Sequence, residues 1–277
     1  MEKCDFHIHT IYSDGLLSPS EIILLSDERN QKYIAITDHD TTEGLDDAIN
    51  LSKNANVKLI PGIELSTSYK DKSVHILGFF KKDSYKNKDL NSKLTELQNY
   101  RVIRAKKIVQ KLKDEFNIII SVEKLLKNSK DTVARPNIAR EIINAGYPYT
   151  HEYIFNNFIG ENCKAYVRTK KINTKDGINF LKDNGAVVFL AHPKLIHKEY
   201  LQEVLKLHFD GIEAIYSQNT NEENSYFIDY AKKNNLLISC GSDFHGNPTK
   251  DKKHGDLGCV ELSRDDLNKF LSALDIK

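Results

Sequence analysis

The feature that most constrains the fold of this chain is a set of short apolar runs, each with a potential metal ligand at or near its end. The runs read CDFHIHT, YIAITDHD, VKLIPGIEL, SVHILGF, AVVFLAHP and LLISCGSDFHG. A hydrophobic core gains nothing from a His or Asp at the end of strand after strand. A parallel β-barrel, in contrast, collects the carboxyl ends of its strands at one rim, where its active site lies. The pattern therefore predicts a barrel with a functional site on that rim.

Nine side chains on or beside these runs are candidate metal ligands, and they include six of the ten histidines. They are His7, His9, Asp14, His39, Glu64, His75, His192, Asp243 and His245. We expect all of them at the same end of their strands. Nine ligands are too many for one ion and suit two or three. Nitrogen and oxygen donors without thiolate favour Mn²⁺, Fe²⁺ or Zn²⁺.

The local patterns differ in how strongly they indicate a ligand. His7 and His9 lie two residues apart on one strand, so their side chains share a face. Asp14 precedes a glycine, where an Asp is commonly part of a turn. In TDHD we expect His39 to be the ligand, and the two Asp residues to cap a helix or to orient a ligand. Glu64 follows an apolar strand, where a lone carboxylate is costly, so a carboxylate that bridges two ions would explain it.

Composition limits the possible partners and compartments. A chain of 277 residues can form one barrel or two smaller domains. Forty basic residues against 39 acidic ones leave no basic excess for binding long duplex nucleic acid. The four cysteines form no Cys-x-x-Cys pair, which favours a reducing compartment. Without a signal-peptide pattern or an apolar stretch of membrane length, we expect a cytoplasmic protein with no membrane partner; the oligomeric state stays open.

Strand-like runs alternate with amphipathic helical stretches, which predicts an α/β fold with a parallel sheet. Ser18, Pro19 and Glu21 predict a capped helix start. Only the short STSYKDK separates the strands expected at 57–65 and 74–80, so a hairpin is expected there. The stretch 83–163 is mostly helical in pattern. We therefore expect a barrel domain formed by 1–82 and 164–277 and a helical insertion, or lid, formed by 83–163.

The sequence also predicts individual helices in the insertion and individual strands in the part of the barrel that follows it. Helices are expected within the insertion at 91–116, 134–145 and 151–158. Later strands are expected at 186–191, 211–215, 236–240 and 257–262.

The order of HIHTIYSDG, TDHD, GIEL, VHILGF, LAHP and GSDFHG resembles that of the PHP (polymerase and histidinol phosphatase) family of metal-dependent phosphoesterases. The resemblance implies a distorted (β/α)7 TIM-like barrel with three ions on its rim. It implies that a first ion is bound by His7, His9, Glu64 and Asp243. Glu64 would bridge to a second ion held by His75 and His192, and a third would be bound by Asp14, His39 and His245. The catalytic residues implied are Glu64, His192 and His245, around a water that two ions share and that attacks phosphorus.

The insertion motifs TVARPNIARE and YVRTKK resemble one branch of that family. This branch hydrolyses nucleoside 3′,5′-bisphosphates and trims short RNA oligonucleotides from the 5′ end. Asn137 stands where the branch usually has His. Arg135 opens a helix and is expected to bind phosphate, with Arg168 and Lys170 as further candidates. Arg140 lies roughly 140° around the helix from Arg135 and is expected on the surface.

Three interpretations remain outside these assignments. The residues His151, His197, His208 and His254 match no motif and are expected on the surface or in helices. The protein could instead act on histidinol phosphate or another small phosphate ester. It could also be a metal-stabilised structural or regulatory module without activity.

Overall fold

The sheet of this protein is nearly closed. The computed structural model describes residues 1–129, 132–168, 171–246 and 253–276. The strands within these ranges are β1 (Glu2–Ile8), β2 (Tyr33–Ile36), β3 (Lys58–Tyr69), β4 (Lys72–Phe80), β5 (Ile172–Asn173), β6 (Ala186–Leu190), β7 (Gly211–Tyr216), β8 (Leu237–Gly241) and β9 (Glu261–Leu262). Their order in the sheet is β8-β7-β6-β4-β3-β2-β1-β9, and β5 pairs with β3.

The two ends of the sheet meet beside β1. The backbone N–H of Phe244, just after β8, donates to the carbonyl of His7 at 3.3 Å. The N–H of His9 donates back to the carbonyl of Phe244 at 2.9 Å. Helices surround this sheet, so the predicted α/β barrel is confirmed. The expected strand 257–262 is shorter than predicted, because only Glu261–Leu262 pairs, and it pairs antiparallel to β1.

β4 runs against its neighbours and distorts the barrel. It pairs antiparallel with both β3 and β6, whereas β1, β2 and β3 are parallel, as are β6, β7 and β8. The expected hairpin is present, and in it His75 pairs with Ser66. Glu64 therefore lies inside β3 rather than at its end, and His75 lies near the start of β4. The expectation of one common strand end is wrong for these two residues, because β3 continues past Glu64 into the hairpin and the reversed β4 brings its beginning to the rim.

The helices are α1 (Pro19–Glu28), α2 (Leu45–Ser52), α3 (Lys88–Phe116), α4 (Val122–Asn128), α5 (Arg135–Asn144), α6 (His151–Ile154), α7 (Thr174–Asp183), α8 (Lys198–Val204), α9 (Asn221–Lys233) and α10 (Arg264–Ala273). The capping box of α1 forms as expected between Ser18 and Glu21. The single helix expected at 151–158 is instead α6 followed by a π-helical turn, Phe155–Ile159. No helix in the described ranges is both long and apolar enough to cross a membrane.

α3 contributes to two separate hydrophobic clusters. Near its start, Leu90 and Leu94 are buried in the barrel core. Further along, Ile108 and Leu112 are buried in a second cluster with side chains of α4 and α5. Arg101 lies between the two halves and is itself buried. The helix thus runs from the barrel core to the second hydrophobic cluster.

Candidate metal centre

Glu64 lies at the centre of the candidate ligands. Its carboxylate is fully buried on β3. Its Oε1 lies 2.8 Å from Nδ1 of His75 and 2.9 Å from Nε2 of His192. Three further imidazole nitrogens surround Oε2, namely Nδ1 of His39 at 2.8 Å, Nε2 of His9 at 3.2 Å and Nε2 of His7 at 3.4 Å. Residues far apart in the sequence therefore converge on one carboxylate.

Two aspartates complete groups of ligand atoms around Glu64. Oδ1 of Asp243 lies 3.5 Å from Nε2 of His7 and 3.2 Å from Nε2 of His9. The four residues expected to bind the first ion, His7, His9, Glu64 and Asp243, have ligand atoms within 4.8 Å of one another.

The second aspartate belongs to the group expected to bind the third ion. Oδ1 of Asp14 lies 3.3 Å from Nε2 of His245, and its Oδ2 lies 3.9 Å from Nε2 of His39. His9 joins these three residues within the same 4.8 Å limit. The structure thus brings all nine candidate ligands to one place.

The charges in the cluster compensate one another. Burial opposes ionisation of the acidic groups, yet the facing imidazoles hold the pKa values of Glu64, Asp14 and Asp243 well below the usual range. Burial also opposes protonation of His7, yet the carboxylates of Glu213, Glu64 and Asp243 hold its pKa well above the usual range. Divalent ions would supply the same positive charge in place of imidazole protons.

The donor set fits metal ions. Among the residues that the structure describes, several buried ligand atoms lie close to one another and yet form no contact with hydrogen-bond geometry, which is rare for buried polar atoms. They are Nε2 of His7, Nε2 of His9, Oδ1 of Asp14, Nδ1 of His39, Oε2 of Glu64 and Nδ1 of His192. Imidazole and carboxylate donors without thiolate suit divalent transition ions.

Hydrogen bonds to the carboxylate of Asp38 hold the turn that carries Asp14. The Asp38 carboxylate accepts from the backbone N–H of Thr10 at 2.7 Å and from the hydroxyls of Thr10 and Ser13, both at 2.6 Å. Asp38 therefore orients the candidate ligand Asp14. This is one of the two roles expected for the aspartates of TDHD. Asp40, its partner in TDHD, pairs with Arg101 of α3, whose Nε lies 2.8 Å from Oδ2.

α5 holds the same turn from the other side. Nδ2 of Asn137 donates to the carbonyl of Ser13 at 3.3 Å, and Arg140 donates to the carbonyl of Asp14 at 2.9 Å. The expectation that Arg140 lies on the surface is wrong, because it is half-buried. The helix face that turns away from Arg135 packs on this turn rather than facing water.

A cavity of about 520 Å³ joins the candidate ligands to a basic wall. The basic side chains that line it are Arg101, Arg104, Arg135, Arg168 and Lys171. In the described part of the chain, Arg104, Arg135 and Lys171 form no ion pair with a carboxylate. Burial and the neighbouring guanidinium groups lower the pKa of Arg104 to about 10 and that of Lys171 to about 8. Cations that lack counter-ions in a concave site favour an anionic ligand.

Comparison with known proteins places the chain in a family. The PHP domain model matches residues 5–216, which is most of the chain. The chain belongs to the PHP domain family. The match includes seven of the nine candidate ligands, and the PHP match ends before Asp243 and His245.

Relatives and solved structures agree with the PHP assignment. The chain is 27% identical over 254 residues to a 5′-3′ exoribonuclease of Haemophilus influenzae, covering 88% of this chain and 90% of that protein. It is 26% identical over 253 residues to a 3′,5′-nucleoside bisphosphate phosphatase of Chromobacterium violaceum, covering 88% of each. A crystal structure from Bifidobacterium adolescentis, assigned to the metal-dependent phosphoesterases, superposes with a TM-score of 0.86 at 29% identity, covering 98% of this chain and 96% of that one. The predictions of the PHP family and of a hydrolase are confirmed.

The residues expected to bind substrate differ in their surroundings. The Arg135 guanidinium lies at the start of α5, 5.7 Å from the ring centre of Phe155 and 5.6 Å from that of Tyr166. Arg168 lines the cavity but is 64% exposed and pairs with the exposed Asp71. Lys170 lies outside the described residues.

His254 is not the unrelated surface or helix residue that was expected. Its ring stacks on that of His245 with centroids 4.0 Å apart, and its Nε2 lies 3.8 Å from Oδ2 of Asp243. It also lines the cavity. His151, His197 and His208, by contrast, are exposed.

Four further residues of this PHP site escaped the sequence reasoning, namely Arg101, Arg104, Lys171 and Glu213. Glu213 had a usable signal, because it interrupts the apolar run GIEAIY much as Glu64 interrupts its own strand. The three basic residues had none, because each lies in a charged stretch that is typical of a solvated surface.

Proposed function

We propose that the protein hydrolyses phosphate esters of small nucleotides with the help of two or three divalent ions, Mn²⁺, Fe²⁺ or Zn²⁺. Its substrates are nucleoside 3′,5′-bisphosphates, short 5′-phosphorylated RNA oligonucleotides, or both. The observation that carries this proposal is the shared cavity, in which a candidate metal cluster faces a basic wall whose Arg104, Arg135 and Lys171 form no ion pair within the described ranges. A substrate with two phosphates would place one phosphate at the metal cluster and the other at the basic wall. The names of the exoribonuclease and bisphosphate phosphatase relatives support the same substrate class.

The proposed roles of the side chains follow from their positions. Divalent ions bound here would polarise a phosphoryl oxygen and lower the pKa of water. Glu64 would help to bind two neighbouring ions, because its two carboxylate oxygens face different imidazoles. The other eight candidate ligands would complete the ion sites as grouped by motif. His192 and His245 line the cavity and would be able to protonate a leaving oxygen, although each would serve the site more as a ligand.

Arg135 and its neighbours would hold the phosphate that is not cleaved. Arg101 is neutralised by Asp40, so Arg104, Arg135 and Lys171 provide the available charge. Tyr166 and Phe155 line the same cavity, and aromatic rings are suited to stacking against a base. Arg168 and Lys170 remain proposed contacts for longer substrates.

The helical segment 83–163 would act as the lid that limits substrate length. It supplies Arg104 and Arg135 to the cavity, and through α5 it contacts the Asp14 turn. A cavity of about 520 Å³ fits a ligand of nucleotide size. Duplex nucleic acid is therefore not an expected substrate.

Histidinol phosphate is a less suitable substrate for this cavity. It carries one phosphate and a positively charged amine, so binding at the metal cluster would place a cation near a wall that is already basic. A structural or regulatory module is also less suitable, because the nine candidate ligands are all present and all converge.

Elemental analysis and a phosphate-release screen test the proposal together. Protein purified without chelator should carry at least two transition-metal equivalents per chain. It should release phosphate from adenosine 3′,5′-bisphosphate much faster than from histidinol phosphate, and should shorten a 5′-phosphorylated oligoribonucleotide. A metal-free protein that is folded and fully active would contradict the metal centre. Faster turnover of histidinol phosphate, or equal degradation of long duplex DNA, would contradict the substrate assignment.

A further inference from the structure

A second buried carboxylate lies directly behind the candidate ligands. Glu213 on β7 is fully buried. Its Oε1 lies 2.9 Å from Nδ1 of His7, and its Oε2 accepts a hydrogen bond of 2.6 Å from the backbone N–H of His192. In the described part of the chain, no Lys or Arg pairs with it. The polar contacts of this carboxylate are thus directed at two candidate ligands, one expected for the first ion and one for the second.

The backbone of β8 leaves room for the contact between Glu213 and His7. A Cβ atom on Gly241 of β8 would lie 2.1 Å from Oε1 of Glu213 and 2.4 Å from Cβ of His7. Both distances are far below van der Waals contact, so only glycine fits there. His192 in turn has a φ of 23°, a region that non-glycine residues rarely adopt. A strained backbone persists only where neighbouring groups hold it in place. The hydrogen bond from the N–H of His192 to Glu213 holds this one.

We propose that Glu213 is a positioning residue that places ligands of two different ions at once. When Glu213 accepts a hydrogen bond from Nδ1–H of a neutral His7, the lone pair of the ring lies on Nε2, which faces Oε2 of Glu64 and Oδ1 of Asp243 at 3.4 and 3.5 Å. Partners of this kind fix the tautomer of a metal-binding imidazole. The other oxygen fixes the backbone that presents the His192 ring to Glu64. The inference rests on the proposed metal centre, but not on the identity of the substrate.

Replacement of Glu213 by Gln tests the inference, because the amide cannot satisfy both contacts. If its oxygen faces Nδ1 of His7, its NH2 group meets the N–H of His192, and two donors oppose each other across 2.6 Å. If the amide is reversed, its NH2 group requires a proton-free Nδ1. The proton of a neutral His7 must then lie on Nε2, where it blocks the ion. Either orientation disturbs a ligand while the side chain keeps its shape.

The measurements do not depend on turnover. Chelator competition should show that Glu213→Gln weakens Zn²⁺ binding by about 10- to 100-fold, the usual effect of losing such a partner. In the Zn²⁺-loaded wild type, ¹⁵N-labelled His7 should show an Nδ1–H proton strongly hydrogen-bonded to a carboxylate, and in the variant this signal should shift or vanish. Glu141→Gln is the matched control, because Glu141 is also buried but bonds to Asn128, away from the cluster. It should change neither readout.

The outcomes separate this inference from the proposed function. Wild-type affinity in Glu213→Gln, or weaker affinity with an unchanged His7 signal, overturns the positioning role. A wild-type protein that binds Zn²⁺ through His7 but cleaves no phosphate ester would contradict the substrate and leave the role of Glu213 supported. Gly241→Ala provides an independent route to the same displacement and should reproduce the loss of affinity. A folded Gly241→Ala variant that bound Zn²⁺ with wild-type affinity would also overturn the positioning role, because the added Cβ must displace Oε1 of Glu213.

Discussion

Replacement of Arg135 by Ala should separate substrates with two phosphates from substrates with one. The Arg135 guanidinium lines the cavity, forms no ion pair in the described ranges and bonds weakly to the carbonyl of Ile159 at 3.4 Å. Losing a charge-assisted contact of this kind costs about 2–4 kcal/mol. Arg104 and Lys171 remain on the same wall and would retain part of the attraction. We therefore expect the low end of this range, about 2 kcal/mol, which is roughly a 30-fold loss in kcat/KM.

The assay compares adenosine 3′,5′-bisphosphate with p-nitrophenyl phosphate, which has no second phosphate. Arg135→Ala should lower kcat/KM for the bisphosphate. It should change kcat/KM for p-nitrophenyl phosphate by less than about twofold, which corresponds to about 0.4 kcal/mol. Arg264→Ala is a matched control, because Arg264 also opens a helix but is 84% exposed and outside the cavity. Equal losses on both substrates would refute the reasoning. They would show that Arg135 acts on the phosphoryl group under attack, or that the change damages α5.

Three further predictions follow from other contacts. Glu64→Gln should remove at least one metal equivalent and most activity while preserving the circular dichroism spectrum, and full metal content would contradict a bridging role. Arg140→Met should weaken the ion site that includes Asp14 by about tenfold in a Mn²⁺ titration, the loss expected for a charged donor, while the other sites keep their affinity. Because the pKa of Lys171 is lowered to about 8 in the folded protein from 10.5, the folded state disfavours its proton. The free energy of unfolding should therefore rise from pH 8 to 10 in wild type relative to Lys171→Met, and parallel curves would show that Lys171 is not buried as described.

The ligand cluster was predictable because its signals are local. His7 and His9 share a strand face by spacing alone, and each remaining candidate lies within an apolar run or a few residues after one. The position of His75 was misread although the hairpin was predicted, because an antiparallel β4 brings its beginning, and not its end, to the rim. The antiparallel pairing of β4 with β6, which is distant in the sequence, had no local signal.

The basic wall was not predictable from the sequence. Arg104 bonds to the carbonyl of Val167, and Lys171 bonds to the hydroxyl of Ser73. These contacts depend on how α3, the segment after residue 164 and the hairpin pack together. Nothing in the stretches RVIRAKK or RTKKIN distinguishes such a residue from a solvated charge. Arg140 was misplaced for the same reason, since helical spacing gives an angle between two side chains but not which of them meets another part of the chain.

The continuity of α3 has a consequence for how the protein unfolds. The helix is 29 residues long, about 43 Å, and contains neither Pro nor Gly where it passes from one hydrophobic cluster to the other. Detaching the second cluster alone would require melting a helix in its middle, where Arg101 is buried against Asp40. Subglobal opening is therefore disfavoured, and both clusters should lose structure in one cooperative transition. Native-state hydrogen exchange should report the same opening free energy for amides near Leu94 and near Ile108.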